Sequence, residues 1–219
     1  MAYTESDLGR IIELIKEIEA RKAHKNAAAT YRDVPALKEI DGIVNAQLAR
    51  ETPCDRHTLA DSIFAFRYLG FAYEGMWRVA YAVEYYKKLL ELQRELLVRF
   101  SEADERCADD YYTALRARNY YNDDACADLA GIAAELLPPN KREDIEKRVL
   151  ELCRPLRHDP VELTDEYLAV IDEVERRMEA EGGGKAHPLA WNERFRTLLK
   201  EYGVEWRPMS EFNRGWHFD

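Results

Sequence analysis

The sequence predicts an all-helical protein, and three observations support that prediction. Apolar residues recur at spacings of three and four along nearly the whole chain, which is the period of an amphipathic α-helix. No segment alternates apolar and polar residues as a half-buried strand does. Proline and glycine, which interrupt regular elements, number only 8 and 10 in 219 residues. We therefore expect about nine helices and no sheet.

Four helices are predicted in the first hundred residues: 5–28, a second that ends near Pro53, 55–75 and 77–100. The first has an apolar face at helical spacing: Leu8, Ile11, Ile12, Ile15 and Ile18. Thr4 and Asp7 resemble a capping box at its start. Asp55 or Thr58 is expected to cap the third helix, because short polar side chains bind the free amides of a first turn.

Five more helices are predicted in the second half. Ser101 with Asp104 opens the fifth, which runs to about residue 121, and a short sixth helix lies between residues 124 and 138. Asn140 with Glu143 caps the seventh, which ends near residue 152. Asp159-Pro160 places a cap and a first-turn proline at the start of an eighth helix, which ends at the glycines 182–184. A ninth follows Pro188, and residues 203–219 form an irregular tail.

Charge and composition exclude several classes of protein. The net charge is −10, and residues 101–140 hold 3 basic against 9 acidic side chains. Such a surface repels nucleic acid and attracts a basic partner. No apolar stretch is long enough for a membrane helix, and the polar N-terminal residues do not resemble a secretory signal. The four cysteines are scattered, so we expect no disulfide framework and a cytoplasmic protein.

One motif stands out between residues 66 and 89. It reads Phe66-x₂-Leu69-Gly70-x₂-Tyr73, followed by Ala82-x₃-Tyr86 and Leu89. This pattern resembles the tetratricopeptide repeat, whose signature is W-x₂-L-G-x₂-Y and then A-x₃-F. The resemblance covers about residues 63–96, and the neighbouring segments resemble degenerate repeats. Two positions depart from the family pattern: Arg94 replaces its closing proline, and Trp77 replaces a glycine that is common in its turn.

The resemblance implies antiparallel helix pairs stacked as a short, irregular superhelix. Small residues at Gly70 and Ala82 let the two helices approach closely, and the aromatic residues fill the space between neighbouring pairs. In this family the first helix of each pair lines a groove for a peptide or helix. The corresponding positions here are Arg67, Phe71 and Glu74, with Thr113, Arg116 and Tyr120 from the next, degenerate pair. We expect a helical-repeat domain over residues 1–181 and a C-terminal helix and tail, 185–219, packed back on it.

The aromatic tail must also be accommodated. Trp206, Phe212, Trp216 and Phe218 lie within its 17 residues. Large aromatic side chains are rarely left in water together, so we expect the tail to dock on its own chain or on a second copy. Both a monomer and a homodimer remain open.

Motifs for chemistry are scarce. No histidine follows a glutamate by three residues, as di-metal helical sites require, and H-E-x-x-H is absent. No phosphate-binding glycine loop occurs either, so we predict no metal and no cofactor. The sequence therefore favours a protein-interaction module that binds a protein or peptide. The alternatives are a small-molecule-binding or catalytic domain with an aromatic pocket, and a self-associating structural module.

Overall fold

The computed structural model describes residues 5–25, 31–50, 53–121, 126–152, 157–181 and 188–213. These residues are helical with irregular connections, and none of them lies in a strand. The prediction of an all-α fold is confirmed. No helix within these ranges has both the length and the apolar character that crossing a membrane requires.

Ten α-helices and two 3₁₀ turns make up the described part of the chain. The α-helices are α1 (Glu5–Lys25), α2 (Val34–Arg50), α3 (Arg56–Gly75), α4 (Val79–Phe100), α5 (Cys107–Asn119), α6 (Cys126–Leu136), α7 (Pro139–Leu152), α8 (Asp165–Ala180), α9 (Pro188–Glu201) and α10 (Met209–Phe212). The 3₁₀ turns are Tyr31–Asp33 and Pro160–Leu163.

The chain forms two compact units. Unit 1 comprises Met1–Ala117 and Asp124–Cys153, and unit 2 comprises Arg118–Asp123 and Arg154–Asp219. This division differs from the predicted boundary at 182–184, because α8 packs against α9 and therefore belongs with the C-terminal residues. The glycines themselves lie outside the described residues.

Unit 1 consists of stacked helix pairs. Arg10 and Arg21 of α1 pair with Glu39 of α2 and with Asp33 just before it, so α1 and α2 run antiparallel. The Tyr68 hydroxyl of α3 donates to Glu19 of α1 at 3.0 Å, and other contacts join α3 to α5. Salt bridges from Lys87 and Arg94 of α4 to Asp128 and Glu135 join α4 to α6: these bonds span 3.1 and 3.4 Å. Contacts thus also run from α1 through α3 to α5, and from α4 to α6.

The α3–α4 hairpin holds the aromatic core of unit 1. Tyr73 stacks on Tyr81 and Tyr85, with ring centroids 5.0 and 5.4 Å apart, and Phe66 lies 5.9 Å from Tyr85. Gly70 lies directly against the ring of Tyr86. A Cβ atom at Gly70 would be 2.5 Å from Tyr86 Cε1, which is shorter than van der Waals contact allows. Glycine is therefore required for this close approach.

The turn between α3 and α4 is a left-handed helix cap. Trp77 has φ 62°, its amide donates to the Glu74 carbonyl, and the Arg78 amide donates to the Tyr73 carbonyl. These two bonds define a Schellman motif, in which glycine normally occupies the left-handed position. Tryptophan takes this conformation here, and its side chain is 66% exposed. The turn thus keeps the geometry that a glycine would give.

Several predicted helix starts need correction. Ser101 ends α4 in the left-handed conformation, with φ 54°, rather than opening the fifth helix. Asp104 precedes a turn, and α5 begins only at Cys107. Asp159 does cap a first turn, but this turn is 3₁₀, and α8 begins anew with Thr164 as its cap. Asp55 caps α3 as predicted, by accepting from the Thr58 amide at 2.8 Å. Thr4 and residues 122–124 lie outside the described residues.

Unit 2 is built on α8, α9 and the segment that follows them. Residues 204–208 are extended, and Val204, Trp206 and Pro208 are buried while Glu205 and Arg207 are exposed. The Trp206 ring meets Phe195 of α9 edge-on at 4.9 Å. The first part of the aromatic tail therefore docks within unit 2. Trp216 and Phe218 lie outside the described residues.

Candidate functional site

Two large aromatic side chains project into solvent from one side of α3. Phe64 and Phe71 are separated by seven residues, which places them on the same side of the helix, and they are 48% and 64% exposed. Trp77, in the turn just past the end of α3, is exposed as well. We call Phe64, Phe71 and Trp77 the aromatic face. Single exposed apolar residues are ordinary, but three large aromatic side chains on one helix and its cap indicate a contact surface.

Arg67 lies beside the aromatic face, and its guanidinium is already paired. It donates to the Asp110 carboxylate at 2.6 and 2.9 Å and to Asp104 at 2.7 Å. Gln93 of α4 also donates to Asp110, at 2.6 Å. Burial works to lower the pKa of Arg67, but the hydrogen bonds to Asp110 and Asp104 outweigh it and raise that pKa. Arg67 is therefore a fixed cation that joins α3 to α5.

A second polar contact joins the same two helices near the end of α3. The Glu74 carboxylate accepts from Arg116 of α5, and from the Tyr86 hydroxyl of α4 at 2.9 Å. Burial, followed by the Glu74 charge, raises the pKa of Tyr86. Glu74 thus forms its ion pair within unit 1, as Arg67 does. Both side chains hold α3 and α5 together.

The predicted groove residues lie in four different environments. Arg67, Glu74 and Arg116 form ion pairs that join α3 to α5. Phe71 projects from α3 into solvent. The Thr113 hydroxyl donates to the Asp109 carbonyl of its own helix, at 2.9 Å. Tyr120 belongs to unit 2, where its ring contacts His158. The Arg67 cation is thus neutralised by two aspartates.

The predicted packing residues are buried. Phe66, Leu69, Tyr73, Ala82, Tyr86 and Leu89 are at most 1% exposed, and Gly70 is buried as well. These side chains fill the hairpin and its contacts with neighbouring helices. They position the aromatic face but do not form part of it.

Sequence reasoning missed Asp61, which lies three residues before Phe64 on the same side of α3. Its carboxylate is half-buried, and burial raises its pKa, while nearby His57 acts in the opposite direction. No arginine or lysine in the described ranges forms an ion pair with it. The available signal was its spacing from Phe64 and Phe71, which is that of a single helical stripe.

Unit 2 contains a separate buried polar cluster around Glu162. Its carboxylate accepts from His158 Nδ1 at 2.9 Å, from Trp206 Nε1 at 2.8 Å and from the Tyr121 hydroxyl at 3.2 Å. Because a carboxylate accepts here, Nδ1 carries the proton that it donates, and the other ring nitrogen of a neutral His158 is an acceptor. That atom, Nε2, is buried and has no hydrogen-bond partner among the described residues. Sequence reasoning missed the pair because it sought glutamate before histidine, not four residues after it.

Neighbouring residues fix this cluster to the C-terminal segment. The Asp159 carboxylate accepts from the Arg207 amide at 2.8 Å and from its guanidinium at 3.2 Å. Asn213 exchanges two bonds with the Arg157 backbone, at 2.7 and 2.8 Å. The rings of Tyr120 and Tyr121 lie 5.6 Å from the His158 ring. His158 is therefore enclosed by aromatic rings and by the segment 204–213.

The two cysteines whose side chains the structure describes, Cys54 and Cys107, do not resemble activated nucleophiles. Both are buried thiols, and burial raises the pKa of Cys107 to about 12. A thiol with such a pKa is protonated at neutral pH and is a poor nucleophile. Over the described ranges, no three histidine, cysteine or acidic side chains are grouped as a metal site requires.

Comparisons with protein-family models, with curated proteins and with solved structures found no match to this chain. The functional argument therefore depends on the geometry of the two units.

Proposed function

We propose that unit 1 is a protein-interaction module that binds a helix or peptide of a partner protein along the aromatic face of α3. The exposure of Phe64, Phe71 and Trp77 carries this proposal, because the opposite side of the same helix is fully packed. Exposed aromatic side chains on a rigid helix are typical anchors of protein interfaces, since they bury much area and lose little conformational entropy.

The resemblance to a tetratricopeptide repeat supports the same surface. Phe71 occupies a groove-lining position of that family, and α3 lies between α1 and α5. Members that clamp a C-terminal carboxylate need a free basic residue, and Arg67 is paired with Asp110 and Asp104. We therefore infer that the partner is recognised through apolar side chains and not through its terminal carboxylate.

Site-specific photocrosslinking in the native cells tests this function. A benzoylphenylalanine at position 71 is expected to capture a partner that the same group at position 98 does not. Val98 is a suitable control, because it is an exposed apolar residue of α4 and is 68% exposed. Binding of the purified partner should then weaken at least about tenfold in Phe71→Ala, as expected for an interface anchor, and remain unchanged in Val98→Ala. Equal capture at both positions would contradict the proposal.

A second candidate function concerns unit 2, which would bind a small molecule that donates a hydrogen bond to His158. The orphaned Nε2 atom favours it, because a buried acceptor without a partner is rare in native proteins. The Glu162 carboxylate orients the imidazole, and Tyr120 and Tyr121 supply an aromatic surround. This arrangement resembles the apolar lining with few polar groups that is common in ligand sites.

A thermal-shift screen of small metabolites tests the second candidate. A true ligand should raise the Tm of the native protein and leave the Tm of His158→Phe unchanged, because phenylalanine keeps a ring but has no hydrogen-bond acceptor. A Trp77→Ala variant serves as control, since it alters unit 1 only. If every stabilising compound acts equally on the native and His158→Phe proteins, the site does not bind ligands in this way.

A further inference from the structure

Several buried or half-buried aspartates of unit 1 form an ion pair with an arginine, but Asp61 does not. Asp33 pairs with Arg21 at 2.6 Å, and Asp104 and Asp110 both pair with Arg67. In each case an arginine compensates for the water that the carboxylate loses on folding. Asp61 loses water as well, yet no lysine or arginine in the described part of the chain neutralises it.

The position of Asp61 relates it to the aromatic face. It precedes Phe64 by three residues and Tyr68 by seven, so all three project from the same side of α3. Tyr68 is itself fixed by its hydrogen bond to Glu19. A single unneutralised carboxylate therefore lies at the N-terminal end of an exposed apolar stripe, and the stripe continues to Phe71.

Nearby groups do little to balance the charge of Asp61. His57, one turn earlier, favours the ionised carboxylate, whereas burial and the neighbouring Asp55 disfavour it. Asp55 is occupied as the cap of α3. The carboxylate is thus a destabilising feature of the free protein, and a cation placed beside it would remove that disadvantage.

We propose that Asp61 binds a lysine or arginine of the partner, so that the partner segment is a basic amphipathic helix. Its apolar side would cover Phe64 and Phe71, and its cation would lie about one helical turn from the first apolar contact. This inference rests on the proposed function of the aromatic face. Charge complementarity at the edge of an apolar contact fixes register and excludes wrong partners, and the net charge of −10 favours approach of a basic segment.

Selection from a displayed library of helical peptides tests the inference. The library fixes a helical scaffold and randomises its exposed positions, and the full-length chain is the bait. Parallel selections use Phe71→Ser and Asp61→Asn as baits, and Glu135→Gln, an acid remote from α3 in sequence, as the matched control. Peptides whose binding requires Phe71 define ligands of the aromatic face.

We expect these peptides to be enriched in lysine or arginine at one position, one turn from an apolar residue. That enrichment should disappear with Asp61→Asn and persist with Glu135→Gln. Individual basic peptides should lose about fivefold in affinity for Asp61→Asn, the upper range for a partly exposed ion pair.

Two other outcomes would overturn the inference in distinguishable ways. Peptides that need Phe71 but show no basic preference, or keep it with Asp61→Asn, would exclude the role of Asp61 and leave the proposed function intact. A selection without any peptide that depends on Phe71 would reject both. Circular dichroism of each bait must show native helix content, so that loss of binding does not reflect unfolding.

Discussion

The two sides of α3 differ in how completely their side chains are packed and paired. On the inner side, Gly70 fits against Tyr86, and Arg67 is neutralised by Asp104 and Asp110. On the outer side, Phe64 and Phe71 are exposed to water, and Asp61 forms no ion pair with a lysine or arginine among the described residues. One side therefore maximises stability, and the other tolerates features that reduce it. A helix built in this way supports a fold with one side and presents a binding surface with the other.

The strongest test of this contrast is Arg67→Met. The variant leaves the Asp110 carboxylate buried without its cation, so we expect the free energy of unfolding to fall by about 3 kcal/mol. Arg56→Met is the matched control, because the Arg56–Glu102 pair is largely exposed. That control should lose far less stability in the same urea titration, because an exposed ion pair contributes little. Similar losses in both variants would mean that Arg67 does not anchor the inner side.

The next largest effect is expected for Gly70→Ala. The added methyl group would lie 2.5 Å from the Tyr86 ring, and the overpacking should destabilise the protein by about 2 kcal/mol. Gly42→Ala, in α2, meets no atom within 4 Å and should stabilise by about 1 kcal/mol through helix propensity. Thermal melts of both variants decide the point. If Tm falls in Gly70→Ala and rises in Gly42→Ala, the close approach of α3 and α4 is supported. If Tm changes in the same direction in both variants, it is contradicted.

A gain in stability is expected for Trp77→Gly. Tryptophan in the left-handed conformation is strained by about 1 kcal/mol, and its exposed side chain contributes little packing in return. The variant should therefore be more stable by about this amount, while Trp77→Ala, which keeps a Cβ atom, should not gain it. Chemical denaturation of the three proteins measures the difference. If Trp77→Gly also weakens partner binding, then the strained tryptophan is present because its side chain contributes to the binding surface.

The smallest predicted change in stability is that of Asp61→Asn. Burial raises its pKa in the folded state, so the folded protein binds this proton more tightly than the unfolded chain does. The resulting destabilisation is present at neutral pH and disappears as the pH falls through the raised pKa. Asp61→Asn should therefore increase Tm by about 1 °C at pH 7 and leave Tm unchanged at a pH below the raised pKa. Glu102→Gln should act in the opposite direction at pH 7, because hydrogen bonding to Arg56 lowers the pKa of Glu102.

The sequence predicted the local features of the fold better than its long-range contacts. The helices follow from periodicity, and Asp55 caps α3 as its sequence context indicates. Ser101 and Asp104 carried the same kind of signal but were misread. Ser101 takes the left-handed conformation at the end of α4, and Asp104 is bound by Arg67, 37 residues earlier. Such distant partners leave no trace in local spacing.

The candidate site shows the same limit. Periodicity put Arg67 and Phe71 on one side of α3, but only the position of α5 determines that Arg67 is covered and Phe71 exposed. Asp61 was missed because an acid on a helix usually indicates solvated surface. His158 and Glu162 were missed because their bond depends on a 3₁₀ turn that periodicity does not reveal.

Trp77 gives the molecule an intrinsic optical probe at the place where binding is proposed. It is the single tryptophan of unit 1, and the other three tryptophans of the chain all follow residue 190. An indole that is 66% exposed emits at long wavelength, and a covering apolar surface would shift that emission to the blue. Occupancy of the α3 surface can thus be followed by fluorescence without attaching a dye.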